Sequence, residues 1–103
     1  MMSRFAQHTR LVAAPGRREE LVAKFIESVE IQRDNPDCEV MLVSTGPDLA
    51  EVVYLTEVWS SETAWEQARR SPRTQAWALS MPGLVSGPPE TTPLEVVGGK
   101  GLA

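Results

Sequence analysis

The sequence predicts an α+β fold in which one antiparallel four-stranded sheet carries two helices on one face. Two kinds of segment follow one another along the chain. In one kind every second residue is apolar, as in β-strands, and in the other the apolar residues recur every three or four positions, as in helices. Proline and glycine separate these segments. With 103 residues, of which 42% are apolar and 23% charged, the chain has the size and composition of one globular domain. We therefore expect a single domain over residues 1–103, with an irregular tail at 98–103.

The first half of the chain is predicted as strand, helix and strand. Residues 4–13 alternate in polarity, and the run is broken at Pro15–Gly16. In residues 17–35 the apolar side chains follow helical spacing, and two early glutamates suit the positive end of the helix dipole. Residues 39–45 are rich in Val, Leu and Met, which is typical of a strand.

The second half is predicted as strand, broken helix and strand. Residues 51–59 form a hairpin with the preceding strand, since the connector TGPDLA contains Gly and Pro. Ser61 is a helix cap, and Ser71–Pro72 has the form of a second cap, so the helix breaks and restarts there. Residues 73–80 continue helically to a Met-Pro-Gly stop. The segment SGPPETTP is expected to be a loop before a last strand at 94–97.

The order strand, helix, strand, strand, helix, strand is the split βαβ, or ferredoxin-like, pattern. In this pattern both helices cover the same face of the sheet. Residues 40–43 and 52–55 are apolar at both odd and even positions, so the other face needs a cover as well. A homodimer with the two sheets face to face, in a barrel-type association, is the simplest cover.

Charge and composition exclude several classes of function. The net charge is −4 and the basic residues are scattered, so the chain lacks the positive patch that nucleic acids require. No apolar run approaches the roughly 20 residues that span a bilayer, and no signal-peptide core is present at the N-terminus, which predicts a cytoplasmic protein. One Cys and one His cannot supply the ligands of a structural zinc site, so no metal is expected.

Strand parity determines which side chains can meet, because alternate residues of a strand point to the same face. Trp59, Glu57 and Leu55 share one face of their strand, and the more apolar face of the first strand carries Gln7 and Thr9. If both faces turn toward the helices, the polar groups point into a space with aromatic walls, which is the general form of a small-molecule site. The residues expected around this site are Gln7, Thr9, Leu55, Glu57, Trp59, Trp65 and Trp77.

Structural roles are open for the same residues. Tryptophans on helices commonly pack in cores, so Trp65 and Trp77 are equally well explained by packing. The two polar residues of the first strand could bond to neighbouring backbone. For Glu57, a salt bridge to an arginine of the second helix is favoured on general grounds over a role as a catalytic base. The candidate partners of that salt bridge are Arg69, Arg70 and Arg73.

Three motifs, in this order of elements, resemble the antibiotic biosynthesis monooxygenase family. They are the strand-to-helix corner TEVWSSETAWEQARRSP, the helix end LSMPGL and the following GPP. The resemblance covers the chain from Phe5 to about Val97. It implies a small ferredoxin-like homodimer that uses molecular oxygen as co-substrate without metal, flavin or other cofactor, and that acts on quinols or on the anthrones of aromatic polyketide pathways.

The resemblance also implies site residues. In the anthrone oxygenases the corner tryptophan and an aromatic residue six positions later line the substrate pocket, and these positions match Trp59 and Trp65. Their pocket asparagine and histidine fall at Leu55 and Leu42, and their later arginine could be replaced by Arg69 or Arg73.

The function expected from this resemblance is a cofactor-independent monooxygenase acting on a hydroxylated aromatic. Glu57 is the candidate base, because burial raises a carboxyl pKa toward the range useful for proton abstraction. Trp59 and Trp65 would hold the ring, while Gln7, Thr9 and an arginine would bond to its oxygens. Two alternatives stay open: a non-catalytic dimer that binds a small ligand, and an isomerase or cyclase on the same scaffold.

Overall fold

The computed structural model of the chain describes residues 4–101, and this part contains four strands and three helices. The strands form one antiparallel sheet in the order β2-β3-β1-β4, which confirms the ferredoxin-like α+β prediction. The elements are β1 (Phe5–Val12), α1 (Arg18–Gln32), β2 (Cys38–Thr45), β3 (Val52–Trp59), α2 (Glu62–Arg69), α3 (Pro72–Leu79) and β4 (Glu90–Glu95).

The central pair of strands, β1 and β3, positions the side chains of the helix-covered face. Phe5 lies opposite Trp59 and Gln7 lies opposite Glu57, in an unbroken antiparallel register. Because side chains alternate between faces, these four residues point to the same side, as the sequence predicted.

The hydrophobic core lies between this face and the helices. Leu21 and Phe25 of α1 are almost fully buried against Val53 and Leu55 of β3. The loop after α3 contributes Leu84, which is also buried in this cluster. The core therefore fills one end of the layer between sheet and helices.

The second helical region breaks where the sequence predicted. The Ser61 hydroxyl accepts a hydrogen bond from the Ala64 N–H at 3.1 Å and begins α2. The Ser71 hydroxyl accepts from the Thr74 N–H at 3.3 Å, and Pro72 begins α3. Pro72 cannot donate a backbone hydrogen bond to the preceding turn, so the chain restarts as a new helix.

The last strand differs from the prediction. It spans Glu90–Glu95 rather than 94–97, so half of the segment expected to be a loop is strand. Val96 donates its N–H to the Arg4 carbonyl, so residues 94 and 92 also direct their backbone groups toward β1. The residues between them direct theirs outward, away from β1. Pro93 is one of the outward residues, and a proline is tolerated there because β4 is an edge strand.

The sheet face opposite the helices is open in the single chain. Leu42 is 54% exposed and Leu94 is 48% exposed on it. The rings of His8 and Tyr54 stack there with centroids 5.4 Å apart. This is the face for which the sequence predicted a second copy of the chain, and the homodimer stays a prediction.

None of the helices in residues 4–101 has the length and apolar character needed to cross a bilayer.

Candidate active site

A cavity of about 580 Å³ lies between the sheet and the three helices. Its volume is in the range of small-molecule sites, and its lining combines apolar walls with a few polar groups. The apolar walls are formed chiefly by Phe25, Met41, Leu55, Trp59, Trp65 and Trp77. The polar groups include Gln7, Gln32, Glu57, Arg69, Thr74 and Gln75.

Trp59 lies at the end of β3 and is 2% exposed. Its indole Nε1–H donates a hydrogen bond to Oε1 of Glu57 at 3.2 Å. The two residues are separated by one position on a strand, so both point into the cavity and the indole can reach the carboxylate. Trp59 therefore forms part of the wall and holds the carboxyl group in place.

Glu57 is 7% exposed and its side chain lines the cavity. Burial raises its pKa because the charged form is poorly solvated, and the Trp59 hydrogen bond opposes this rise in part. The salt bridge favoured on general grounds is not formed: no ion pair within residues 4–101 includes Glu57. The carboxyl group therefore accepts a hydrogen bond from the Trp59 indole and has no counter-charge.

Cys38 lies opposite Trp59 at the start of β2. Burial and the charge of nearby Glu57 raise the pKa of its thiol to about 11. The thiol is protonated at neutral pH and is a poor nucleophile.

Trp65 and Arg69 lie one turn apart on α2, and both line the cavity. The Trp65 ring contacts Phe5 with centroids 5.0 Å apart, and the Arg69 guanidinium lies 4.9 Å from the Trp65 centroid. This distance is that of a cation–π contact. Trp65 and the cation stacked on it therefore form one part of the cavity wall.

Trp77 of α3 has both a structural and a cavity-facing surface. Its indole N–H donates to the Lys24 carbonyl at 2.6 Å, and its ring meets Phe25 edge-on at 5.4 Å. It packs against the core and also lines the cavity, so the two interpretations left open by the sequence both apply.

Three predicted site residues lie outside the cavity lining. Thr9 is buried on the correct face, but its hydroxyl shares a hydrogen bond with that of Thr91 at 3.4 Å, and Thr91 lines the cavity instead. Leu42 lies opposite Thr56 on the open face, because its neighbour Met41 takes the cavity side opposite Glu57. Arg73 lines a separate groove between α1 and α3.

Five polar residues of the cavity lining were not predicted: Ser28, Gln32, Thr74, Gln75 and Thr91. Gln32 is 8% exposed, and its amide donates to the Thr74 hydroxyl at 3.4 Å. Gln32 lies seven residues after Phe25, on the buried face of α1, so a polar residue in an apolar stripe was a usable signal. Thr74 and Gln75 carry no such signal, because their placement depends on how α3 turns back over the sheet.

The described residues contain no group of three or more His, Cys, Asp or Glu side chains arranged to hold a metal ion.

Fold and cavity together define a class: ferredoxin-like α+β proteins that hold a small-molecule-sized cavity between the sheet and its helices. Within this class, the family model described as "Antibiotic biosynthesis monooxygenase" matches residues 4–79. The match includes the three strands and two helices that build most of the cavity, as well as α3. The chain belongs to the antibiotic biosynthesis monooxygenase family.

Solved structures share the fold of this chain. A candidate antibiotic biosynthesis monooxygenase from Chloroflexus aurantiacus is 26% identical, with a TM-score of 0.85, and the alignment covers 98% of this chain and 100% of that one. A Mycobacterium tuberculosis protein is 21% identical, with a TM-score of 0.84 and coverage of 95% and 99%. SnoaB, a cofactor-independent oxygenase from Streptomyces nogalater, is 14% identical, with a TM-score of 0.83 and coverage of 96% and 98%. No curated protein matches the sequence significantly.

Proposed function

We propose that the protein is a cofactor-independent monooxygenase that oxidises a hydroxylated aromatic, of the quinol or anthrone type, with molecular oxygen. The observation that carries the proposal is the buried carboxyl of Glu57, without counter-charge, in a cavity whose walls include three tryptophans. Membership of the family supports it, as does the fold shared with SnoaB, which is described as a cofactor-independent oxygenase.

The apolar walls suit a flat, fused-ring substrate. Trp59 and Trp65 contribute large aromatic surfaces, and Leu55 and Met41 fill the remaining sides. Contact with these walls removes the ring from water and favours its binding by the hydrophobic effect. The substrate's own phenolic oxygens then meet the few polar groups of the cavity, with Gln7 opposite Glu57 on the neighbouring strand.

Glu57 is the proposed base. Burial raises the pKa of this carboxyl group, which makes its ionised form a stronger proton acceptor than an ordinary glutamate. In an anthrone it would take one proton from the CH₂ carbon between the rings. The anion transfers one electron to O₂, and the two radicals combine into a carbon–oxygen bond, giving a peroxide.

The second half of the reaction uses the same carboxyl group. Glu57 returns its proton to the peroxide and takes the remaining hydrogen of that carbon as a proton while the O–O bond breaks. The hydroxide that leaves takes this proton and becomes water, and the carbon becomes a carbonyl. The sum is CH₂ plus O₂ giving C=O plus H₂O, so no external reductant is needed.

Oxygen uptake by chelator-treated protein, with dihydroxynaphthalenes and anthrones as substrates, tests the proposal. Glu57→Gln should lower turnover by about 100-fold, since it keeps the shape and removes the base. Trp59→Ala should weaken both substrate binding and turnover. Glu19→Gln is the matched control, because Glu19 is exposed on α1 and is not part of the cavity lining, and its turnover should equal that of the wild type. Uptake in Glu57→Gln equal to the wild type would remove Glu57 from the mechanism.

A second candidate is a protein of the same scaffold that binds an aromatic ligand without oxidation, or an isomerase or cyclase that needs no oxygen. The observation that favours it is Leu55, an apolar wall residue at the position matched to the pocket asparagine of anthrone oxygenases. Tight binding of the same compounds without oxygen consumption above autoxidation would select this candidate.

A further inference from the structure

Four of the eight arginines, all within residues 4–101, form no ion pair with a carboxylate, and of these four only Arg69 lines the cavity. Arg4, Arg10, Arg17 and Arg33 each form an ion pair with a glutamate. Within the described part of the chain no ion pair includes Arg69, although its side chain lines the cavity. The guanidinium of a residue that lines a ligand-sized space and has no counter-charge is available to an anionic group in that space.

The position of Arg69 is fixed by two contacts. Its guanidinium lies over the Trp65 ring at 4.9 Å. Its backbone carbonyl accepts a hydrogen bond from the Gln75 side chain at 2.7 Å, which ties the end of α2 to α3. Because the contact with Trp65 orders the guanidinium, Arg69 loses less conformational entropy on binding an anion than a free side chain would.

The cavity has two polar regions of different character. The first is on the sheet, where Gln7 lies opposite Glu57. The second is on the helices, where Arg69 carries a positive charge near the amide of Gln75. Burial and the Trp59 indole account for the pKa of Glu57, and no arginine contributes. The charge of Arg69 is thus separate from the proposed base and free for another role.

We propose that the cavity selects hydroxylated aromatics that carry a carboxylate, which pairs with Arg69 while the hydroxyl group faces Glu57. This inference rests on the proposed function in one respect, since it places the aromatic substrate in the same cavity. It goes further by assigning the substrate a negative charge and Arg69 the role of a specificity-determining residue. The planar guanidinium can bind a carboxylate through two parallel hydrogen bonds, which an ester or an unsubstituted ring cannot reproduce.

Equilibrium binding by calorimetry tests the inference without any turnover. The probe is 6-hydroxy-2-naphthoic acid, whose hydroxyl and carboxylate lie at opposite ends of the ring system and which is not a quinol. Its methyl ester is the neutral counterpart. The wild type should bind the acid about tenfold more tightly than the ester, a modest ratio because the guanidinium is solvent-exposed.

The variants separate charge recognition from packing. Arg69→Gln should abolish the preference for the acid, and Arg69→Lys should keep part of it. Arg70→Gln, the same change at the next position and outside the cavity lining, should leave the preference unchanged. The folded state of each variant is checked by circular dichroism.

An acid-to-ester ratio that is the same in Arg69→Gln and the wild type would overturn the inference, as would failure of the wild type to bind either compound. Arg69 would then only cover Trp65. Oxygen uptake with neutral dihydroxynaphthalenes separates the two proposals. An Arg69-dependent preference without uptake would leave this inference and remove the oxygenase proposal, whereas uptake without the preference would do the reverse.

Discussion

Glu57 shows how a single residue acquires reactivity from its surroundings. Its sequence neighbours indicate only that it shares a strand face with Trp59. The structure adds that this face is buried and that the Trp59 indole is 3.2 Å from the carboxylate. Burial disfavours the ionised form more than the indole favours it, so the pKa of the carboxyl is raised.

This raised pKa has a consequence for stability. Between about pH 4.5 and the raised pKa, the folded chain holds a proton on Glu57 that the unfolded chain has released. The contribution of Glu57 to the free energy of unfolding is therefore fully present below this interval and is lost as the pH rises through it. The glutamine side chain in Glu57→Gln cannot ionise, so the free energy of unfolding of this variant does not change with pH at this position.

We expect the free energy of unfolding of the wild type, relative to Glu57→Gln, to fall as the pH rises above about 4.5. Urea denaturation over a series of pH values measures this difference. A difference that does not change with pH would contradict the raised pKa of this buried carboxyl group.

At the scale of elements, the two serine caps begin the short helices α2 and α3, which cover the cavity. α2 and α3 are each only eight residues long and have no fully buried side chain. Helices this short are marginal by themselves, so their ends matter for their stability. The caps also fix the turn between the helices, from which Arg69, Thr74 and Gln75 reach the cavity.

Ser61→Ala should lower the free energy of unfolding by about 1 kcal/mol, because the Ala64 N–H loses its partner at a site where Ser61 is 7% exposed. Urea denaturation measures the change. Ser86→Ala is the control, since Ser86 is an exposed loop residue whose side chain does not cap a helix, and it should change stability by less than about 0.5 kcal/mol. Equal stability of the two variants would contradict the capping role.

At the scale of the whole molecule, the open face of the sheet is the main unsatisfied feature. It carries exposed Leu42 and Leu94 on the two edge strands and the stacked pair His8 and Tyr54 between them. We propose that a second copy of the chain covers this face, as the apolar residues of β2 and β3 suggest. The cavity lies on the other side of the sheet, so dimerisation and ligand binding use different surfaces.

Leu42→Asp should convert the proposed dimer to a monomer, because a charge would be buried within the contact without a partner. Sedimentation equilibrium measures the mass. Val97→Asp is the control, since Val97 is 95% exposed and follows the last strand, and it should leave the mass unchanged. A wild type that sediments as a monomer would contradict the proposed dimer.

Residue patterns alone were sufficient for the order of elements, the broken second helix and the face shared by Gln7, Leu55, Glu57 and Trp59. These features depend on short-range periodicity, capping and proline, which act within a few residues. The start of β4 could not be predicted in this way, because a proline is acceptable in a strand only when that strand lies at an edge.

Only the tertiary structure decided which side chains reach the cavity. Leu42 was assigned to the pocket by resemblance, but the pairing of β2 with β3 turns it to the opposite face. The sequence offered Arg69 and Arg73 as equal candidates for the pocket arginine. In the structure Arg69 of α2 lines the cavity, whereas Arg73 of α3 lines a groove beside α1. Local sequence determined the elements and their faces, whereas strand pairing and helix orientation, which depend on contacts between distant residues, determined the site.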